Sequence, residues 1–328
     1  MDRDEQSFTG TVIKVVGIGG AGLNVVNAML AAGLSGAEFL AVSTSQPRLR
    51  KSNAAVTIKI GSAPRSFGTG GDPAKAKAAV QESRQQILDS LQGSDIVFLA
   101  AGMGGGTGTG ATPELATLAK EAGALVVAVV TRPFSREGKR RIELAEKGIQ
   151  ALLPLVDSLI VIPNDRLISM AGKDTALLEA FKPADDLVRQ TVQGMVEIIS
   201  THGHINVDFS DIRTVLGARG MALMGIGTAS GPDRALEAVR RAIHNPLLEG
   251  VDIHDAKGVL LNIAGSSTMT LDEFDQVCKA VTEQVSDDAT IIVGMVVDEA
   301  LGDQFKVTVI ASGISAGLHL PLPKLRLV

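Results

Sequence analysis

The chain of 328 residues has no tryptophan, no tyrosine and one cysteine. Without the large aromatic side chains that carry a polar handle, its core must be aliphatic, built from Val, Ile, Leu and Ala. The lone Cys278 excludes a disulfide framework within the chain and suits a reducing compartment, so a cytoplasmic location is expected. Basic residues are not in excess. The 31 Lys and Arg stand against 36 Asp and Glu, for a net charge of -5. No basic field draws in nucleic acid or anionic lipid. No charge-free apolar run reaches about 18 residues, and the opening "MDRDEQSFTG" is neither a signal peptide nor a lipidation signal. Nucleic acid and direct membrane binding are therefore not expected.

Glycine, by contrast, is plentiful at 36 residues and clusters in a few turns. Around these turns, short β-branched runs alternate with amphipathic stretches. "TVIKVVGI", "EFLAVS", "VTIKIG", "DIVFLAA", "ALVVAVVT" and "SLIVIPN" read as strands, several apolar on both faces as buried parallel strands are. "GLNVVNAMLAAG", "DPAKAKAAVQESRQQILDSLQ" and "ATPELATLAKEAG" read as helices between them. The pattern predicts a doubly wound α/β domain over 1–174 and a connecting segment over 175–204. Within that segment, 183–200 forms a long helix, with Pro183 in its first turn. A smaller α+β domain over 205–314 follows, with four strands and two helices, and then a short tail, 315–328.

Two strands end in glycine-rich turns that open helices. The first, "VVGIGGAGLN", matches G-x-G-x-x-G at Gly17, Gly19 and Gly22. The acid that should follow for a dinucleotide ribose is missing, since the next strand ends in Ser43-Thr44-Ser45. The second, "AAGMGGGTGTGATPEL", holds six glycines and two threonines between Gly102 and Gly110. It lacks the lysine of G-x-x-x-x-G-K-[ST], with Thr107 or Thr109 in its place, and no lysine occurs between Lys77 and Lys120. In a parallel sheet both turns emerge on the carboxyl edge, and two helix N-termini aim N–H groups at one anion. Thr107 and Thr109 add hydroxyls, so the pair reads as a polyphosphate site without a lysine, the residual charge falling to Mg²⁺ and solvent. Mere tight turns are the alternative. An NAD-dependent oxidoreductase is disfavoured by the missing ribose acid.

At this point the chain resembles a known family. "GGGTGTG" is the signature of the tubulin/FtsZ superfamily, and the rest resembles FtsZ, from about residue 12 to 314. The likeness is carried, in the family's order, by "GIGGAGLNVVNAM", "AGMGGGTGTGATP", "VVTRPFSREGKRR", "VIPNDRL", "LLEAFKPADDLVRQ", "INVDFSDIRTV" and "MGIGTASG". It implies a GTPase that binds GTP or GDP with Mg²⁺ and assembles head-to-tail with itself. Gly19, Gly20, Ala21, Gly22 and Asn24 would form the first nucleotide loop, and Gly104, Gly105, Gly106, Thr107, Gly108 and Thr109 would wrap the phosphates. Gly70, Gly71 and Asp72 belong to the loop near the terminal phosphate and metal. Pro133, Glu137 and Arg141 would lie on the ribose and phosphate side. Asn164, Phe181 and Asp185 would form the guanine pocket, where one carboxylate can accept from N1–H and the N2 amine together. Asn206, Asp208 and Asp211 would be the catalytic set, orienting a water. Taken alone, Asp185 reads more readily as a helix-start acid, Phe181 as a core residue and Asp208 as a helix cap.

Three expectations follow. The family's N-T-D is Ser43-Thr44-Ser45 here, and its G-x-G-x-N-P is "GTGGDP", with Asp72 for the Asn. One carboxylate leaves the phosphate and metal region and another arrives, so turnover should be slower or need more Mg²⁺. The family usually continues through a long linker to a partner-binding peptide, whereas "HLPLPKLRLV" echoes that peptide only faintly. This suggests an auxiliary paralogue, for which a full-length FtsZ is a second candidate partner, or a trimmed chain. A weakly hydrolysing, non-polymerising GTP-binding regulator is the rival reading. Finally, a helix over 183–200 would hold its ends roughly 27 Å apart. Acids beyond its far end could serve only the nucleotide of a neighbouring subunit.

Overall fold

The computed structural model describes residues 10–63, 68–166, 177–200, 204–205, 207–245 and 253–314, with the side chains of the 177–200 stretch described from 186 onward. Asn206 and the tail 315–328 lie outside the described residues, as do the side chains of Phe181 and Asp185.

Six parallel strands form the first half: β1 (Ile13–Ile18), β2 (Glu38–Ser43), β3 (Val56–Lys59), β4 (Ile96–Gly102), β5 (Leu125–Arg132) and β6 (Ser158–Pro163). β1 is buried throughout, and β4 and β5 up to their last residue. Helices therefore cover both faces, as the unbroken apolar runs require. On one side lie α1 (Gly19–Ala31) and the later α7 (Leu177–Ser200). On the other lie α3 (Pro73–Glu82), α4 (Arg84–Leu91), α5 (Gly106–Glu121) and α6 (Lys139–Leu152). One turn of helix, α2 (Gln46–Leu49), follows β2.

The second half adds α8 (Phe209–Leu216), β7 (Met221–Ala229), α9 (Arg234–Ile243), β8 (Gly258–Gly265), α10 (Leu271–Thr282), β9 (Thr290–Val297) and β10 (Phe305–Ile314). β10 lies antiparallel between β7 and β8, and β8 pairs with β9 in parallel. All strands join one ten-stranded sheet, ordered β3-β2-β1-β4-β5-β6-β7-β10-β8-β9. The seam is narrow, a single parallel pair of Leu159 with Met221, backed by the Ser158 hydroxyl donating to the Leu216 carbonyl at 2.7 Å. The main bond across it is apolar. Val188, Val192 and Met195 of α7 share one core with Ile212 and Val215 of α8, Leu260 of β8 and Ile310 of β10.

Three boundaries differ from the sequence reading. The helix expected over 72–92 breaks at Ser83, whose hydroxyl accepts from the Gly61 N–H at 3.1 Å. The long helix starts at Leu177, so Pro183 is inside it and not in its first turn. Helix α5 begins at Gly106, inside the glycine run.

Candidate functional site

β1 and β4 are sheet neighbours, with Gly17 beside Ala100 and Ile18 beside Ala101. Both end on the same edge. α1 begins at once, at Gly19, and α5 four residues after β4, at Gly106. Two N-termini, each with orphan N–H groups and a positive dipole end, therefore face one space.

That space is a cavity of ≈280 Å³, walled by Gly20 and Ala21 from α1 and by Gly105, Gly106, Thr107 and Gly108 at the start of α5. Gly70 and Gly71 close it from the loop before α3. A second cavity of ≈290 Å³ shares Gly20, Ala21 and Arg141 with the first, and extends past Asn24 to Pro133, Glu137 and Asn164. Glycine backbone dominates the wall of the first, while larger side chains line the second.

The second cavity is pre-organised. Glu137 accepts from the Phe134 N–H at 2.8 Å through Oε1 and pairs with Arg141 at 2.7 Å through Oε2. Asn164 Oδ1 is buried without a hydrogen-bond partner among the described residues. A buried, unmet acceptor costs about 1–3 kcal/mol, which a ligand donor reaching it would recover. The guanine edge offers such donors.

The glycines divide by task. A Cβ on Gly108 would overlap the Gly102 carbonyl oxygen, one on Gly110 the Pro73 carbonyl, and one on Gly106 the Thr69 hydroxyl. These three let α5 press onto the turns around it, so part of the signature is packing. Gly104 is different, with φ +89 in the left-handed region, where the chain turns into the site. Gly22 of the first turn also packs, with Ala100 O in the way of any Cβ.

Two expected contacts take another place. Thr109 is buried, and its hydroxyl accepts from the Gly104 N–H at 2.9 Å, behind the cavity wall and not at it. Asp72 is the N-cap of α3, its Oδ1 accepting from the Ala74 N–H at 2.9 Å. It is not among the residues walling the cavity. Gly19 and Gly104 shape the turns from behind. Asp208 and Asp211 are at the start of α8, where Asp211 Oδ2 accepts from the Asp208 N–H at 3.3 Å. None of the residues lining either cavity belongs to α8. The expectation for Phe181 and Asp185 falls on side chains outside the described ones, and that for Asn206 on a residue outside them.

Sequence reasoning overlooked Arg48 and Thr69, both of which line the phosphate cavity with Ser43 and Ser45. The available signal was position. Ser43 ends β2 and the other three follow β2 or β3, at the carboxyl edge where ligands bind. Among the described residues, no carboxylate lines the phosphate cavity, and no cluster of three His, Cys, Asp or Glu fit for a metal occurs. Magnesium usually takes one or two carboxylates besides phosphates and water. The residues present do not furnish such a site.

Fold and site together define a nucleotide-binding protein of tubulin type, with its phosphate loops at the switch point of a doubly wound sheet. Comparison narrows the class. Residues 12–172 match the GTPase domain of the Tubulin/FtsZ family, and residues 220–315 the C-terminal domain of the FtsZ family. The chain is 46% identical over 323 residues to the cell division protein FtsZ of Coxiella burnetii, covering 97% of this chain and 84% of that one. Identity to FtsZ of Pseudomonas aeruginosa is also 46%, over 95% of this chain and 79% of that one. A solved FtsZ dimer from M. jannaschii superposes with a TM-score of 0.87 at 40% identity, over 93% of this chain and 89% of that one. CetZ2 from Haloferax volcanii, solved as a GTPγS-bound protofilament, shares the fold with a TM-score of 0.78 at 21% identity, over 93% and 94%. The chain belongs to the FtsZ family of tubulin-like cell division GTPases. Among the described residues, no helix is long and apolar enough to cross a membrane.

Proposed function

We propose that this GTPase assembles head-to-tail in the cytoplasm and completes its active site across the contact between subunits. GTP lies with its phosphates between the starts of α1 and α5, its ribose by Glu137 and Arg141, and its base toward Asn164, with Phe181 and Asp185 on the guanine. Asn206, Asp208 and Asp211 act on the nucleotide of the next subunit, orienting the water that attacks the γ-phosphate. The Mg²⁺ expected with GTP meets only hydroxyls on the described walls of the phosphate cavity.

The observation that carries this reading is the length of α7. It has 24 residues, about 36 Å at 1.5 Å per residue. From Asp185 to its end at Ser200 is about 22 Å, and the acids lie beyond that. Hydrogen-bond catalysis works at about 3 Å or through one water. An open head-to-tail contact brings one subunit's acids to the next subunit's phosphates and repeats into a filament. The FtsZ relative from M. jannaschii was solved as a dimer, an assembly in a member of the same family. A full-length FtsZ is a second candidate partner through the same contact.

The test is GTP hydrolysis per subunit against protein concentration, alongside pelleting with GTP and with GDP. Activity should rise from near zero as polymer forms. Constant activity per subunit down to dilutions without polymer would overturn the proposal.

A further inference from the structure

Arg48 is the feature that the family reading does not use. It lines both the phosphate cavity and the ribose-and-base cavity, so it stands where the two join. Its guanidinium lies over Gly20, where an added Cβ would overlap Nη1. The side chain itself is exposed, and two links hold the turn that carries it. Leu49, next in the chain, is buried at 4% exposure and anchors the turn. Thr44, four residues earlier, has its hydroxyl 3.0 Å from that of Thr107 in the first turn of α5.

Its charge is uncompensated. Among the described residues, the Arg48 side chain has neither an ion pair nor a hydrogen bond, whereas Arg141, the other cation in the cavity, is held by Glu137 at 2.7 Å. In the phosphate cavity the surrounding hydroxyls and glycine N–H groups carry no negative charge, and the carboxylate on the wall of the adjoining cavity, Glu137, is paired with Arg141. A guanidinium lying over a glycine turn beside two helix N-termini is a forked donor for phosphate. Ser45, where the family usually has an acid, begins this same turn. The site has lost a carboxylate that could hold magnesium and has a cation on its wall.

Resting on the reading of this cavity as the GTP site, we propose that Arg48 binds the nucleotide's phosphate chain and supplies there the positive charge that a carboxylate-held Mg²⁺ would otherwise bring. GTP binding then depends on Arg48 and tolerates removal of the metal. This modifies the expectation that the missing acid raises the need for Mg²⁺.

The experiment is calorimetric titration of the native chain, Arg48→Gln and Arg48→Lys with GTP and GDP, below the concentration of assembly, with Mg²⁺ and again in excess chelator. In chelator, Arg48→Gln should lose roughly ten- to a hundredfold in GTP affinity, the effect of one charge-assisted contact. Its loss for GDP should be smaller, and Arg48→Lys should fall between Gln and native. Nucleotide-free unfolding midpoints should agree, since the exposed guanidinium makes no bond among the described residues. Native and Arg48→Gln chains binding GTP equally in chelator would overturn the proposal while sparing the GTP site. A native chain that binds GTP in neither condition would overturn both.

Discussion

The hydroxyl of Thr44, just past the end of β2, is 3.0 Å from the hydroxyl of Thr107 in the first turn of α5, and both groups are largely shielded from water. This bond joins two loops from different strands across the phosphate cavity. A neutral hydrogen bond of this kind contributes about 0.5–1.5 kcal/mol. Thr44→Val keeps the shape and removes the bond. We expect it to weaken GTP binding by roughly two- to tenfold, measured by titration, with an unchanged circular dichroism spectrum. Affinity equal to native would show that the two loops hold their places independently.

Assembly-coupled hydrolysis makes a mixing prediction. Asp211→Ala should bind GTP and pellet normally but hydrolyse poorly. A chain with Thr107→Arg, which fills the phosphate cavity, should bind no GTP. Mixing the two should restore turnover, because GTP on the first meets an intact Asp211 on the second. Phosphate release from the mixture that stays at the sum of the separate rates would contradict a shared site.

The two departures near the phosphates now separate. Asp72 caps α3, and Asn caps as well as Asp. Asp72→Asn should therefore leave GTPase rate and stability nearly unchanged, while Asp72→Ala should cost about 1 kcal/mol of stability in a denaturant melt. Ser45→Asp places a carboxylate beside the Arg48 turn. It should raise the dependence of turnover on Mg²⁺ in a steady-state assay, and an unchanged Mg²⁺ profile would count against that.

Far from the nucleotide, Arg234 is buried and donates through Nε to Glu273 at 2.6 Å, with Asp303 at 3.4 Å. The hydrogen bond from Arg234 is the main reason the Glu273 carboxyl is held below its usual range, burial opposing it. A lowered folded value means the ionised form stabilises the fold. That contribution is complete above the ordinary carboxylate value of about 4.3 and fades as pH falls through the lower folded value. Glu273→Leu leaves a buried guanidinium short of a partner and should cost about 3 kcal/mol at neutral pH. The gap in melting temperature between native and variant should narrow on acidification below about pH 4.

Much of this protein was determined by local sequence. The central strands β1, β4 and β5 are legible because each is a short apolar run, and burial on both faces leaves no polar alternation to confuse them. The paired glycine turns were legible because two strands that end alike in a parallel sheet must present their turns on one edge. Other features depended on contacts that no local pattern encodes. That both halves share one sheet rests on a single strand pair at Leu159 and Met221 and on apolar residues of α7 and α8 far apart in sequence. The task of each glycine is likewise tertiary. Gly106, Gly108 and Gly110 look like a loop in sequence, yet they are the opening of a helix pressed onto Thr69, Gly102 and Pro73. Thr107 and Thr109 are alike in sequence, but two positions along a helix point about 200° apart, so one faces the cavity and the other the interior. Arg48 carried no motif at all. Only the fold, by bringing the end of β2 beside β1, set its charge above the glycine turn.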